Sequence, residues 1–399
     1  MRKNFFRLGP GILITAAFIG PGTLTVCTIV GVNSGTLLLW AILFSVIITI
    51  ITQNIAAKIS WETKKGLAQV LLEHSNSPLK KWSMIILLIS AIFFGNSAYE
   101  AGNITGAKIG LEQIIDSKIF HFTDFDFLPL IICFLISIIY LMGSSELIKK
   151  ILLLIVVFMS FSFIFAAIIT KPDVLSVLNG ILIPRFNTNE LTLVLSVIGT
   201  TIVPYNLFLH SSLVKNMSHI NDFKQIRMDT IISVSIGGLI SLCIVLAAAN
   251  SDLKSVESVS DLGVALSPIY GKFSQHLISI GLFGAGISSA ITAPLAASYV
   301  VTECFDWKQN GNKAKFIFLF VLIIGTIFSS LDVNPITTIQ LAQFFNGLLL
   351  PVIGTFLFLL VTSNRLKNYF KNQYLIKVTL AIILVFYIFL GLKNLGLFF

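Results

Sequence analysis

Two of the long apolar runs in this chain are broken at their middles, and the breaks lie five runs apart. The first is Gly20-Pro21-Gly22-Thr23, inside the run from Gly11 to Val32. The second is Val203-Pro204-Tyr205-Asn206, inside the run from Leu191 to Val214. Proline removes a helix hydrogen bond and glycine loosens the backbone around it. In hydrocarbon each backbone group freed in this way costs several kcal/mol, so such a break survives only where it lines a protein-walled cavity. Paired interruptions in matching positions of two halves point to a transporter's substrate site.

Composition sets the surroundings of those breaks. Only 11% of the 399 residues are charged and 56% are hydrophobic, whereas a soluble domain carries about 25% charged residues. Crossing a bilayer takes about 20 apolar residues. Eleven such runs can be read, at about 10–33, 36–57, 82–107, 128–144, 151–170, 191–214, 230–250, 273–303, 314–330, 335–362 and 373–392. This pattern describes an all-α integral membrane protein, multi-pass in the cell membrane; a β-barrel shows short alternating segments instead. The net charge of +9 does not indicate nucleic acid, because the basic residues sit in short loops between spans. With the N-terminus cytoplasmic, 20 of the 27 Lys and Arg residues fall on the inner side and 7 on the outer, which is the positive-inside pattern. Arg2, Lys3 and Arg7 resemble the start of a signal peptide, but no small-residue cleavage site follows, so the first run is read as an uncleaved span. The polar stretch 62–79 is placed on the cytoplasmic surface. Cys27, Cys133, Cys243 and Cys304 form no metal-ligand spacing and read as small packing residues.

An odd number of runs between the breaks means that spans 1 and 6 cross in opposite directions. Residues 1–399 are therefore read as one transmembrane domain built as a 5+5 inverted repeat. Its halves are 8–170 (spans 1–5) and 190–362 (spans 6–10), with an extra span 11 at 373–392.

Polar groups at membrane depth supply the candidate path. In span 3, Asn96, Glu100 and Asn103 recur at i, i+4 and i+7 and share one helix face, while Gly102, Gly106 and Gly110 make a smooth face for close packing. Glu100 is the clearest intramembrane carboxylate, and such a group marks a substrate, ion or proton path by default; a hydrogen-bonded structural role is the alternative. His210 follows the second break by one turn and suits either proton handling or a neutral contact to a neighbouring helix. His74, His121, His219 and His276 lie in loops or near span ends and carry no functional weight. Span 8 offers Ser288, Ser289 and Thr292, either as lining of a cation path or as hydroxyls bonded within their own helix. Span 10 carries Gln340, Gln343 and Asn346, the last two as i, i+3 neighbours. The acidic outer segment from Glu112 to Asp126 could gather cations or simply be a solvated loop. There is no P-loop, catalytic triad, zinc cluster or dinucleotide turn, so neither an enzyme nor an ATP-driven pump is expected, and no cofactor.

These residues resemble the NRAMP family of proton-coupled divalent-metal transporters. Leu8-Gly9-Pro10-Gly11 through Gly20-Pro21-Gly22-Thr23 is similar to that family's first span with its Asp-Pro-Gly-Asn motif. Val203-Pro204-Tyr205-Asn206 through His210-Ser211 is similar to its Met-Pro-His motif. Ala285-Gly286-Ile287-Ser288-Ser289-Ala290-Ile291-Thr292 is similar to its span-8 signature, and Gln343 with Pro351 to its span 10. The resemblance covers nearly the whole chain and implies the LeuT-like fold. It also exposes departures. Gly20, Thr23 and Val203 stand where the family places its metal-binding Asp, Asn and Met, and Tyr205 stands where it has a histidine. Only Gln343 survives of the side chains that hold the metal.

Stripping a dication of water takes charged or several strong oxygen ligands, and losing Met removes a soft ligand. The first expectation is therefore a secondary transporter for a small cationic or zwitterionic solute of amino-acid or guanidinium type, in a site enlarged by the loss of Asp and Met. Its substrate residues would be Gly20, Thr23, Thr200, Val203, Tyr205, Asn206, Gln343, Asn346 and Glu100. The alternative is a divalent cation, Mg²⁺ or Mn²⁺, in a rebuilt site; Thr23, Gln343 and Glu100 are the residues to hold it, with Asn206 and backbone carbonyls beside them. A non-transporting membrane sensor is a third reading. If protons are coupled, the expected path is Glu100, His210, Asn96, Asn103, Ser288, Ser289 and Thr292. The expected partners are the cation or solute, the lipid bilayer and, under coupling, protons. The oligomeric state is left open.

Overall fold

A computed structural model describes residues 18–73, 77–115, 121–122, 125–142, 146–185, 190–217, 222–256, 259–331, 334–364, 366, 369–370 and 373–396. The opening residues up to position 17, including the basic N-terminus and the first half of span 1, lie outside that set, as do His74 and His219.

The described helices are α1 (Pro21–Ser34), α2 (Leu39–Thr63), α3 (Leu67–Glu73), α4 (Pro78–Glu112), α5 (Leu128–Leu141), α6 (Glu146–Ile169), α7 (Val174–Leu182), α8 (Leu191–Thr201) and α9 (Pro204–Val214). They continue with α10 (Phe223–Ala249), α11 (Ser274–Cys304), α12 (Asn312–Ser329), α13 (Pro335–Thr362) and α14 (Gln373–Gly396). Among the described residues, each expected span falls on a helix or a pair of helices, span 1 being described only from position 18 onward. Short helices at Val259–Val264 and Ser267–Tyr270 precede α11. A two-residue antiparallel ladder, His121 opposite Asp126, is the one non-helical regular element among the described residues.

Two local features depart from the expected layout. The described part of the stretch 62–79 is not polar throughout. It contains α3, whose Leu67, Ala68, Val70, Leu71 and Leu72 are buried, because apolar residues outnumber polar ones on a segment this short. After span 5 the chain bends by 119° into α7. There Asp173 caps the new helix by accepting from the Leu175 and Ser176 amides, and Val174, Leu175 and Leu182 stay exposed, as suits a helix lying in a membrane interface.

The contacts agree with the topology that the charge count implies. Segments assigned to the inner side meet each other: Lys215 at the end of span 6 pairs with Glu303 at the end of span 8, beside Gly66 before α3. Segments assigned to the outer side do the same, with Lys108 bonded to Asp126 and Trp40 donating to the Arg185 carbonyl at 3.0 Å. The smooth face of span 3 is used for close approach. An added Cβ at Gly106 would lie 2.3 Å from Pro21, and one at Gly110 would lie 2.4 Å from the Ser279 carbonyl. Span 3 thereby sits directly against the first break.

Candidate functional site

Both broken spans restart in the same way. Helix α1 begins with Pro21 in its first turn after an extended Gly20, and α9 begins with Pro204 in its first turn after an extended Val203. Proline is tolerated there because its missing N–H would have no intrahelical partner. The preceding helix α8 ends at Thr201, so the two breaks place backbone groups without helical partners in the middle of the bundle.

A pair of hydroxyls joins the breaks. Thr23 Oγ1 donates to the Phe18 carbonyl and lies 2.9 Å from Thr200 Oγ1. A hydroxyl has one proton, so with Thr23 committed to Phe18, Thr200 is the donor across the junction. Span 1 and span 6 are thus tied at their centres by an ordered chain, Thr200 to Thr23 to Phe18, with both threonines buried.

A shell of polar side chains closes on this junction. A Cβ at Gly20 would lie 3.0 Å from Ser289 Oγ and 3.6 Å from the Tyr99 hydroxyl, and one at Gly22 would lie 2.1 Å from Gln343 Nε2. Gly20 has φ −96°, a conformation open to any residue, and a side chain there would need only a small shift of Ser289 Oγ. The rings of Tyr99 and Tyr205 meet edge to face at 5.2 Å, and both pack with Val203, Leu209 and Ala293. Tyr99 and Tyr205 are neighbours through their hydroxyls, and Tyr99 also neighbours Gln343, but neither hydroxyl makes a hydrogen bond of ordinary geometry. Ser289 Oγ, Gln343 Oε1, Asn346 Nδ2 and both side-chain polar atoms of Asn206 are likewise buried without a partner. Leaving a buried polar atom unpaired costs about 1–3 kcal/mol, so the gathering of such atoms here makes the junction the candidate ligand site.

The enlarged site expected from losing Asp and Met is not what these residues form. Gln343, Tyr99, Ser289 and Tyr205 move into the space, because Gly20 and Gly22 let them reach the backbone. A small, partly open cavity of about 20 Å³ lies on Val203 and Pro204, bordered by Thr49, Thr52, Gln53 and Tyr387. Such a volume holds about one water.

The structure therefore gathers Gly20, Thr23, Thr200, Val203, Tyr205 and Gln343 at the junction, with Asn206 and Asn346 on the same helices, and it adds Ser289 from the expected path. Others lie elsewhere. Glu100 Oε2 accepts from Asn103 Nδ2 at 3.2 Å, and its Cβ and Cγ press on Gly325 of α12, so it faces span 9 and not the junction. The cause is helical phase: Tyr99 takes the inward position, and Glu100 is rotated about 100° from it. Asn96 donates to the Ala293 carbonyl at 2.8 Å. His210 Nε2 is 3.4 Å from Thr230 Oγ1 on α10, with no bond to Glu100. Thr292, by contrast, donates to the Ser289 carbonyl and neighbours the Tyr205 side chain, so it borders the shell. Among the described residues no three His, Cys, Asp or Glu side chains come together as a metal site.

Sequence reasoning passed over Tyr99, which is unremarked in an apolar run, and Glu303, which sits at a helix end where a carboxylate is usually solvated. Glu303 is buried. It accepts from Ser212 Oγ at 2.6 Å and from Lys215 Nζ at 2.7 Å, with the Ala68 amide also facing it. Next to it, Ser211 Oγ accepts from the Leu67 amide at 2.7 Å and contacts Ser60 Oγ at 2.7 Å. The cytoplasmic half of the broken span is held on three sides by this group.

The sequence pattern of the family described as Natural resistance-associated macrophage protein-like matches residues 11–396. The chain is similar to the Natural resistance-associated macrophage protein 2 homolog of Dictyostelium discoideum, 26% identical over 98% of this chain and 63% of that protein; it thus spans less than two thirds of that relative's length. It is similar to the divalent metal cation transporter MntH of Bacillus subtilis, 27% identical over 84% of this chain and 79% of that one. Among solved structures, a variant of the manganese transporter of Eremococcus coleocola superposes with a TM-score of 0.79 at 20% identity, over 99% of this chain and 87% of that one. The nucleobase-cation-symport-1 transporter MHP1 superposes with a TM-score of 0.52 at 14% identity, over 97% of this chain and 92% of that one. The fold is the LeuT-like one.

Proposed function

The chain belongs to the natural resistance-associated macrophage protein family, and on that premise we propose that it is a secondary transporter moving a divalent metal cation across the membrane by alternating access. The observation that carries this reading is the buried junction itself. Two helices restart on proline at mid-bundle, are tied by Thr23 and Thr200, and are ringed by oxygen atoms that lack partners. Relatives whose names specify divalent metal cation transport support the same cargo class.

Gln343 and Ser289 lie beside Gly22 and Gly20 and bring polar atoms to the bare backbone of the first break. The donors are neutral oxygens, without a carboxylate or thioether at the junction. Mg²⁺ dehydrates reluctantly and is held through retained waters, and Mn²⁺ also suits oxygen donors. The favoured cargo is thus a hard, water-retaining dication. The guanidinium-type solute is the weaker reading, because the relatives whose names give a cargo name a divalent metal cation.

Uptake into proteoliposomes containing the purified protein tests the proposal. Saturable Mg²⁺ or Mn²⁺ flux, absent from empty vesicles and lost in Gly22→Val, is the expected result. Flux of methylguanidinium with neither metal moving would overturn it. Imposing a pH gradient in the same vesicles decides whether protons accompany the ion.

A further inference from the structure

We infer that Tyr99 and Ser289 are specificity-determining residues of this site, taking over from span 1 the task of holding the cargo. The inference rests on the metal-cation reading above and names the side chains that grip the ion. The backbone of span 1 carries no side chain at position 20, and the atoms facing that bare position are Ser289 Oγ and the Tyr99 hydroxyl. Gln343 reaches the neighbouring Gly22 from span 10. Tyr205 completes the group through its ring contact with Tyr99. These four side chains come from spans 3, 6, 8 and 10 and are each at most 2% exposed. Each has a polar oxygen without a hydrogen bond of ordinary geometry.

Chemistry assigns the ligand class. Every one of the four oxygens is neutral and can accept a hydrogen bond. A water bound to a dication is a strong donor, since the metal polarises its O–H bonds. Four neutral acceptors therefore match the outer face of a hydrated ion, with the Gln343 carbonyl oxygen also able to replace one water. The set recognises the water shell, and it discriminates against an ion that must be stripped and held by charge. Glu100 takes no part, being turned toward Gly325.

Isothermal titration of the detergent-purified, full-length protein with MgCl₂ and MnCl₂ tests this. Ser289→Ala and Tyr99→Phe each remove one acceptor and are expected to weaken Mg²⁺ binding about fivefold to tenfold, the size of one net hydrogen bond. The melting temperature is recorded in parallel, so that a variant with unchanged melting reports on the site alone; Ser289→Ala, the smaller change, covers the case in which Tyr99→Phe does not fold. Thr355→Ala, which deletes an exposed hydroxyl bonded to its own helix, is expected to leave binding unchanged. If wild-type protein binds Mg²⁺ or Mn²⁺ and both site variants bind it equally well, the assignment of Tyr99 and Ser289 is overturned while the transporter reading stands. If wild-type protein binds neither metal, the metal reading itself falls.

Discussion

The junction at mid-bundle and the Glu303 group near the cytoplasmic face are built on opposite rules. At the junction all side chains are neutral, and a row of buried oxygens goes without partners. Around Glu303 a carboxylate is ion-paired: Ser212 and Lys215 both donate to its Oε1, and the Ala68 amide faces it. The contrast teaches how to read polar groups inside this bundle. Where a buried charge is paired and hydrogen-bonded, its removal leaves an uncompensated partner, and the group is structural. Where neutral groups lack partners of ordinary geometry, a bound ligand can supply the missing bonds, and under the proposed function that ligand is the cargo. Glu100 lies between the two: it is a carboxylate like Glu303, but the partner that bonds it is the neutral Asn103.

This comparison can be broken or sharpened by substitution. The largest effect is expected from Glu303→Ala, which strands the Lys215 ammonium and should cost about 3–5 kcal/mol of stability, seen as a sharp fall in melting temperature. A normal melting temperature for this variant would remove the distinction. Next, Gly20→Asp brings a carboxylate to the side of Ser289 and Tyr99. A charge-assisted contact is worth about 1.5–3 kcal/mol, so Mn²⁺ affinity by titration should rise about thirtyfold. An unchanged affinity would show that position 20 does not face the ion.

Gly22→Ala comes third. Its Cβ would collide with the far end of Gln343, a flexible side chain that can swing away. Melting should therefore change little while transport falls about tenfold, the loss of about 1.4 kcal/mol of binding. A loss of stability equal to the loss of transport would make the junction look like the Glu303 group. Smallest is Thr200→Val, which deletes the bond to Thr23 and should cost about 1 kcal/mol in denaturant titration, because Thr23 keeps its bond to the Phe18 carbonyl.

The legible part of the site was its backbone. Pro21 and Pro204 announced where the helices break, and the glycines announced that something comes close. What comes close was not legible. Nothing in the run around Tyr99 separates it from a core aromatic, and Glu100 drew attention because a carboxylate in an apolar run is rare. A rotation of one residue along span 3 puts the tyrosine at the junction and the glutamate against Gly325. The stretch 62–79 shows the same limit. Its lysines and glutamates are conspicuous, but the five buried apolar residues of α3 decide where it lies.

By itself the sequence determined the class of this protein. Run length and hydropathy require membrane-spanning helices, loop charge orients them, and two prolines at matching depth require a broken pair. These are local properties, read within one helix or one loop. Only the tertiary structure decided the chemistry at the breaks, since that depends on which side chains from spans 3, 8 and 10 occupy the space beside Gly20 and Gly22. Helical phase and interhelical packing set that choice, and both arise between segments far apart in the chain, where no local pattern records them.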